Sequence, residues 1–429
     1  MLTSDITERN PLEVLLTVPA ERSLAGVTGQ AIQGYAEAFG MPSQTGMVLG
    51  LAGEEIIAFA AEHSEGSSPI SLRCRDGRYR MVVELSFAAS GFSPRLFNLP
   101  RMVSVEDEED VKELGLLLIA RTVDNFALSV DGGQVRLVLE KFRSYPSLKS
   151  GSLKASGSST FSIKSLTPDR LAQFCEIAAS ARGAPAFLTQ PGRLIDMAEV
   201  GEIAGCVAEG ADGIVAGGCV WLPGIGKMVE CFGPYVEPQA AEVVEELVEA
   251  CLISMARSSA LGVICRHSGP HFPKELFDQL GLYGEEGVFY RQLQEDMGAL
   301  VWSVPEIEHF LSGTYRRLGF ARDIRMVEDS GQRQPKHSVI SVSMNRDSAE
   351  VILKPCWPGA DATENVESHR AHLVANGLSR LSFEIDLGVG WQLAFVPGLL
   401  AAGFSPAYVI PHGGRGDLLV FVWFAAKSS

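Results

Sequence analysis

The apolar and polar positions between Leu12 and Phe142 predict strands and helices. LEVLLTVPA is typical of a strand ending at Pro19, and SLAGVTGQAIQGYAEAFG has apolar residues near the helical period. A second helix is predicted from Gln44 to His63, and LGLLLIARTVDNF is helical by its spacing. Two hairpins are predicted about Asp76-Gly77 and Asp131-Gly132-Gly133, because these residues suit the positive φ angles of tight turns. The pattern predicts an α+β layer.

The stretch from Phe161 to Leu293 predicts the order β-α-β-β-β-α-β-α-β. It begins with a strand and a helix for which Thr167 is the N-cap. Three glycine-punctuated strands follow, then the helix AAEVVEELVEACLISMARSSA and the buried strand LGVICRHS. PKELFDQLG is predicted as a short helix and GVFYRQL as the final strand.

The last stretch predicts β-β-α-β-α-β-β, which repeats part of that plan. HSVISVSM and SAEVILKPCW form strands about Asn345-Arg346-Asp347, ATENVESHRAHLVANG is a helix, and AYVIPHGGRGDLLVFVWF is a hairpin turning at Gly413-Gly414. Two polar stretches, Ser144 to Thr160 and Glu328 to His337, have the composition of linkers. We therefore predict a domain at 1–145, a linker at 146–160, a domain at 161–300 and a partial one at 301–429.

Composition narrows the classes of function. The chain has 429 residues, and its 52 acidic against 36 basic side chains give a net charge of -16, which opposes binding to nucleic acid and to anionic membranes. No apolar run of about 18 residues and no signal peptide is visible, so a cytoplasmic location is expected. The eight cysteines form no CxxC pair, and as buried thiols they are expected to be structural.

The first stretch resembles the ATP-binding domain of anti-sigma-factor serine kinases, which are histidine-kinase-like (Bergerat-fold) ATPases. The resemblance covers Leu12 to Phe142 and rests on the order of elements, the opening LTVPAE and the closing GGQVRLVLEK. It implies an ATPase-like sandwich, ATP and Mg²⁺ as cofactors, and an anti-anti-sigma-like or sigma-like protein partner.

Three sequence boxes of that family are only partly present. The helix that carries Glu, Asn and His at four-residue steps reads Glu55, Phe59 and His63, so the amide oxygen that would hold Mg²⁺ is missing. Phe87 stands where the family has the Asp that binds adenine. The resemblance implies Glu55 as a catalytic base and a nucleotide contact at the matching residues Gly91, Leu114, Gly115 and Leu116. The alternatives are that Glu55 is an exposed helix residue and that Gly115 is a packing glycine.

The second stretch resembles the GNAT (Gcn5-related) N-acyltransferase fold, and the third looks like its C-terminal half. The resemblance rests on the element order, on FGPYV before a helix and on FDQLGLY as a helix end before the last strand. In that family a glycine-rich loop after the fourth strand binds the pyrophosphate of acyl-CoA through backbone NH groups. Here the loop reads VEPQAAEVV, in which Gln239 is the one matching polar residue, while Glu237 and Glu242 place negative charge nearby.

Other candidate residues carry weaker signals. Tyr283 and Tyr290 are candidates for the general acid of an acyltransferase, or they are core residues. Gly269 and Pro270 argue against a helix that would pair His267 with His271, and no third ligand is evident for His369 and His372. No metal site is therefore predicted. The basic segment Leu311 to Arg325 receives an acidic partner or is a solvated helix face.

Together these patterns predict a three-part α/β (α+β) protein, with a Bergerat-type ATPase-like sandwich followed by tandem GNAT-like mixed-sheet domains. The leading hypothesis is a regulatory protein of the anti-sigma-kinase type with a degenerate ATP site, acting through protein–protein interaction. One alternative is an acyl-CoA-dependent N-acyltransferase with a regulatory N-terminal domain, which would bind acetyl-CoA. The other is a non-catalytic scaffold. Whether the chain is an enzyme, and if so a serine/threonine kinase or an acyltransferase, stays open, because function depends on the site rather than on the fold.

Overall fold

The chain is a mixed α+β protein with several sheets. The computed structural model describes residues 12–63, 68–88, 98–100, 123–131, 133–149, 155–181, 183–224, 226–328, 334–345 and 350–425. The helices are α1 (Ala25–Ala38), α2 (Ser43–His63), α3 (Pro168–Ser180), α4 (Pro191–Glu199), α5 (Val244–Met255), α6 (Pro305–Leu318), α7 (Ala362–Ala375) and α8 (Val396–Ala401). Short 3-10 helices span Arg22–Leu24, Ala186–Thr189, Pro238–Val243, Lys274–Leu276 and Gly390–Phe395.

The strands of the described residues form four sheets. Those before residue 160 are β1 (Glu13–Pro19), β2 (Pro69–Asp76), β3 (Arg80–Ala88), β4 (Asn125–Asp131) and β5 (Gln134–Phe142). The next are β6 (Phe161–Ser165), β7 (Ala204–Gly210), β8 (Val215–Pro223), β9 (Met228–Val236), β10 (Gly262–His267), β11 (Asp278–Tyr283) and β12 (Glu286–Gln292). The last are β13 (Ala299–Ser303), β14 (Arg322–Met326), β15 (Val339–Asn345), β16 (Glu350–Trp357), β17 (Arg380–Asp386), β18 (Ser405–Ile410) and β19 (Leu418–Phe424).

The chain divides into two compact units. The first contains the described residues up to Ser144 together with His337–Ser341, and the second contains those from Tyr145 to Lys336 and from Val342 onward. The boundary predicted near residue 300, between two GNAT-like domains, stays a prediction.

The first unit is built on one antiparallel sheet with the strand order β1-β2-β3-β5-β4. The hairpin predicted at Asp76-Gly77 joins β2 to β3, and Arg78 there has a φ of 63°. Helices α1 and α2 run antiparallel and approach closely. A Cβ added at Gly50 would lie only 2.8 Å from the backbone oxygen of Gly29, so the missing side chain of glycine allows this approach. That this unit is an ATPase-like sandwich stays a prediction.

The second unit contains a seven-stranded sheet with the order β11-β12-β10-β9-β8-β7-β6. Its neighbouring strands are antiparallel except β9 and β10, which are parallel. Helix α5 packs on one face through Leu247 and Cys251, and Phe174 of α3 lies against Gly218. The three strands predicted between Glu202 and Pro238 are confirmed as β7, β8 and β9.

A five-stranded sheet repeats most of this topology. Its order, β18-β19-β17-β16-β15, matches β11-β12-β10-β9-β8, and β16 and β17 are parallel like β9 and β10. Even the irregularities match, since the register shifts between Gln279 and Gly281 in one outer hairpin and between Pro406 and Tyr408 in the other. The element order predicted for the last stretch is therefore confirmed.

The seven-stranded and the five-stranded sheet of the second unit pack against each other around a shared apolar core. Met228, Ile264 and Leu280 come from the first sheet, and Tyr408 and Ile410 from the second. Along the chain, β13, α6 and β14 come after the seven-stranded sheet and before the five-stranded one. Strands β13 and β14 are parallel neighbours, and α6 connects them.

The helix predicted over PKELFDQLG is wrong. Only Lys274–Leu276 forms a 3-10 turn, and Asp278–Tyr283 forms strand β11. The expected helix end in FDQLGLY is therefore a strand. The physical reason is tertiary: β11 pairs with β12, and Leu280 is 1% exposed in the core between the sheets, which outweighs the local helix preference.

Part of the predicted linker at 146–160 is held by hydrogen bonds. The Ser156 hydroxyl donates to Asp212, and Leu148 NH donates to the backbone oxygen of Thr189. Among the described helices, none combines the length and the apolar content that crossing a membrane requires.

Candidate functional site

Glu55, the predicted catalytic base, lies on the solvent-exposed side of α2. Phe59, one turn later, is only 6% exposed and is buried with Ile56 and Ala60 in the core of the first unit. A phenyl ring in this position offers no oxygen to Mg²⁺, which requires hard oxygen ligands. Glu55 is therefore exposed to solvent, and the next turn of the helix, which contains Phe59, packs in the core.

The predicted nucleotide contacts Gly91, Leu114, Gly115 and Leu116 lie outside the described residues and stay predictions. Two carboxylates of the first unit, Glu62 and Asp124, are bonded to other residues of the unit. Glu62 lies 2.9 Å from Arg22, and Asp124 accepts hydrogen bonds from Lys141 Nζ and from the backbone NH of Phe142. Phe87, at the position of the family's adenine-binding Asp, is 2% exposed within the sheet.

Gln239, the predicted acyl-CoA contact, is bound by the protein itself. It lies in the 3-10 helix before α5, and its amide Nε2 donates to Glu237 Oε2 at 2.5 Å. Glu237 is 8% exposed, and burial raises the pKa of its carboxyl group. The backbone NH of Ala240, which a pyrophosphate would need, already donates to the Glu237 carbonyl oxygen. This loop is closed by its own hydrogen bonds and carries an acidic group.

The carboxyl ends of the parallel strands β9 and β10 are also closed. One extra residue on β10 shifts the register between Ile264 and His267, and such a bulge bends the strand that carries it. The Tyr235 hydroxyl donates to the backbone oxygen of His267 at 3.1 Å. A Cβ on Gly269 would lie 1.8 Å from the Pro234 oxygen, so the two chain segments are in contact there.

The polar side chains that do converge lie in a cavity of about 200 Å³ within the second unit, between its two large sheets. Residues from β10, β11 and β15 to β18 contribute to it, so both repeats form its walls. The lining residues are Arg266, His267, Tyr283, Ser343, Glu350, Ile352, Ser382 and Tyr408.

Arg266 holds the two repeats together at one wall of this cavity. Its Nε and one terminal nitrogen each donate to the Glu230 carboxylate at 2.8 Å, and its other terminal nitrogen lies 3.6 Å from Glu384. Glu384 is 2% exposed and also lies 2.8 Å from Lys354 Nζ. Burial alone lowers the pKa of Arg266, but the carboxylate of Glu230 outweighs this effect and raises the pKa. The guanidinium is thus charged, and the Glu230 carboxylate balances its charge.

His267, at the end of β10, faces the cavity without a hydrogen-bond partner in the described part of the chain. Its ring stacks on Phe232, with centroids 5.9 Å apart and an interplanar angle of 10°. Burial lowers the pKa of His267 more than the neighbouring carboxylates raise it, so the ring is neutral at pH 7. A neutral imidazole offers one donor and one acceptor to a bound molecule.

Tyr283 and Tyr290 were both predicted as a general acid or as core residues, and the structure separates them. Tyr290 is 2% exposed in the core between the sheets, whereas Tyr283 lines the cavity. Arg380 lies over the Tyr283 ring at 5.1 Å and pairs with Glu350 at 3.0 Å. Burial raises the pKa of Tyr283, so its hydroxyl stays protonated.

Two arginines of the basic segment Leu311 to Arg325 bond to other parts of the second unit. Arg317 donates to the backbone oxygens of Gln279 and Leu280, at 2.6 and 2.7 Å. Arg322 is completely buried and lies 2.7 Å from Asp417 and 2.8 Å from Asp296. The expectation that this segment receives an acidic partner or forms a solvated face is therefore wrong for Arg322, whereas Arg317 is exposed.

The histidine pairs considered in the sequence do not form metal sites in the structure. His271 is exposed while His267 lines the cavity, and His369 is buried inside α7 while His372 is half-buried. In the described ranges, no group of three or more His, Cys, Asp or Glu side chains is arranged to hold a metal ion.

The comparison with known proteins gives little further information. No protein-family model matches the sequence, and no curated protein is similar to it. Among the solved structures similar to the chain is an acetyltransferase of the GNAT family from Staphylococcus aureus Mu50. That structure covers 32% of this chain and 100% of its own, at 11% identity and a TM-score of 0.26. A likeness at this level indicates neither a shared activity nor a shared ligand.

Proposed function

We propose that this chain is a regulatory protein that acts through protein–protein contacts of its first unit. The partner would be an anti-anti-sigma-like or sigma-like protein, as the sequence resemblance implies. The observation that carries the proposal is a set of exposed apolar side chains in the first unit, two of which share one face of α2. These residues are Leu12, Val14, Leu15, Val27, Met47 and Leu51, each more than 40% exposed.

Neighbouring exposed apolar side chains are typical of a surface that another protein covers. Met47 and Leu51 are four residues apart on α2, so they share one face of the helix. Glu55 follows at the next four-residue step and is also exposed. This face therefore presents two apolar side chains followed by a carboxylate, a pattern that suits a partner with an apolar patch beside a basic group.

Turnover of acyl-CoA receives less support from the geometry. By the sequence resemblance, the phosphates of acyl-CoA would lie at the loop after β9. This loop carries Glu237 with its bonded Gln239, and a carboxylate there would repel them. Phosphoryl transfer from ATP in the first unit would lack a metal ligand at position 59, where Phe59 is buried in the core. The proposal is therefore that binding, and not chemistry, is the function of the first unit.

The test is binding of the full chain to purified anti-anti-sigma-type and sigma-type proteins of the source organism, by biolayer interferometry. We expect a complex, and we expect Met47→Glu and Leu51→Glu each to weaken it by about tenfold or more, since buried apolar anchors dominate such interfaces. Ile253→Glu is the matched control, because Ile253 is 59% exposed on α5 of the second unit.

Loss of binding only in the two α2 variants supports the proposal. Equal weakening by Ile253→Glu would move the interface to the second unit. Binding to neither class of protein contradicts the proposed partner and favours the scaffold alternative.

A further inference from the structure

We propose that the cavity between the two repeats of the second unit binds a small, uncharged polyhydroxy compound, of the class of monosaccharides and cyclitols. This site is separate from the partner surface of the first unit. The inference rests on how the polar groups in its walls are paired.

The charged groups of the cavity walls are already paired. Arg266 is bound by both oxygens of Glu230 at 2.8 Å, and Glu350 pairs with Arg380 at 3.0 Å. A carboxylate, phosphate or ammonium group entering the cavity would therefore find no unpaired charge to replace its hydration. Because burying an uncompensated ion costs several kcal/mol, charged ligands are disfavoured here.

The neutral groups of the walls, in contrast, have free hydrogen-bonding capacity. In the described part of the chain, the ring nitrogens of His267 and the hydroxyls of Tyr283 and Ser343 have no hydrogen-bond partner within the protein. The Ser382 hydroxyl donates to the Val351 oxygen at 3.1 Å and still has lone pairs to accept a bond. These groups are mixed donors and acceptors, and they fit the hydroxyls of a ligand, which also donate and accept.

The volume of the cavity fits a small metabolite. At about 30 Å³ for each water molecule in the liquid, 200 Å³ corresponds to roughly six or seven waters, or a compact molecule of about ten heavy atoms. A single sugar ring or a cyclitol is of this size, whereas a nucleotide or an acyl-CoA is much larger. Cavity-bound water is the competing occupant, and the experiment must distinguish the two.

The experiment uses the full chain and compounds of matched size that differ in charge. Saturation-transfer NMR and calorimetry would be run with D-glucose, D-galactose, myo-inositol and D-mannitol as neutral probes. D-Glucosamine and D-glucuronate are the cationic and anionic counterparts of glucose. We expect at least one neutral probe to bind with a Kd below about 1 mM, and a charged counterpart to bind at least about tenfold more weakly.

Two variants locate the binding. Tyr283→Phe removes one hydroxyl, and His267→Phe removes the ring nitrogens while keeping the stacking on Phe232. Each substitution is expected to raise the Kd of the neutral probe by about tenfold, because a hydroxyl of the ligand loses its hydrogen-bond partner. Tyr290→Phe is the matched control, since Tyr290 is buried outside the cavity walls and its substitution should leave the Kd unchanged.

Three results would overturn the proposal: no binding of any neutral probe, binding of a charged counterpart as tight as that of glucose, or unchanged affinity in Tyr283→Phe. If circular dichroism shows that His267→Phe does not fold, the affinity of Tyr283→Phe alone tests the proposal. Failure here leaves the protein-partner proposal intact, because that proposal is tested on α2 of the first unit.

Discussion

His369 is a completely buried histidine on α7. Its Nδ1 donates to the backbone oxygen of Asn365 at 2.9 Å, and its Nε2 has no hydrogen-bond partner in the parts of the chain that the structure describes. Burial lowers the pKa of His369 from 6.5 to about 4, since the charged ring would lose its hydration. The sequence suggested His369 only as half of a doubtful metal pair.

The pH dependence of stability tests this assignment. The unfolded chain takes up a proton near pH 6.5, whereas folded His369 resists protonation until about pH 4. The unfolding free energy should therefore fall as the pH falls through this window, by about 3 kcal/mol from this residue, at 1.36 kcal/mol per pKa unit. Urea unfolding at a series of pH values would measure it.

The variant His369→Gln removes the titrating group and should flatten that slope between pH 6.5 and 4. His372→Gln, three residues later on the same helix and half-buried, should keep the slope of the wild type. An unchanged slope in His369→Gln would show that another group causes the dependence.

At the scale of elements, glycines decide how closely two helices approach. Gly398 of α8 packs on α7, where an added Cβ would lie 2.7 Å from Thr363 Cα. Gly313 lies inside α6 with no atom within 4 Å of the position of an added Cβ. The same substitution at these two helical glycines should therefore have opposite effects on stability.

We expect Gly398→Ala to lower the unfolding free energy by about 1–3 kcal/mol, because the backbone of α7 must move. Gly313→Ala should instead raise it by about 0.5–1 kcal/mol, since alanine is the better helix former and nothing is displaced. Chemical denaturation of the full chain measures both. A destabilising Gly313→Ala would contradict the open space around α6.

At the scale of the whole molecule, the chain combines two units, of which the second contains a duplicated sheet topology. In both units the position at which family resemblance places a charged cofactor is filled by the protein: Phe59 packs in the core, and Gln239 binds Glu237. The free polar groups lie instead where the two repeats meet.

We therefore expect no measurable heat when the full chain is titrated with ATP and Mg²⁺, or with acetyl-CoA, which corresponds to a Kd above about 1 mM. The matched variants are Glu55→Ala for ATP and Gln239→Ala for acetyl-CoA, with Gln292→Ala on strand β12 as a control. Micromolar binding of ATP that Glu55→Ala removes would restore the kinase hypothesis. Micromolar binding of acetyl-CoA that Gln239→Ala alone weakens would restore the acyltransferase hypothesis.

Much of the secondary structure followed from the sequence, because the period of apolar residues and the turn residues act locally. The hairpins at Asp76-Gly77 and Gly413-Gly414, the helix over Ala362–Ala375 and the repeated order of the last stretch could all be predicted. The helix predicted over PKELFDQLG failed, because pairing of β11 with β12 overrides a weak local preference.

The cavity could not be predicted in the same way. The apolar run LGVICRH ends in Arg266 and His267, which hinted at polar groups at a strand end, but their neighbours Glu350, Ser382 and Tyr408 are far along the chain. Only the packing of one repeat on the other brings these side chains together. The sequence by itself determined most of the local elements, the acidic charge and the apolar side chain of Phe59. The tertiary structure decided which polar groups are paired and which are free, because pairing depends on contacts between residues distant in sequence.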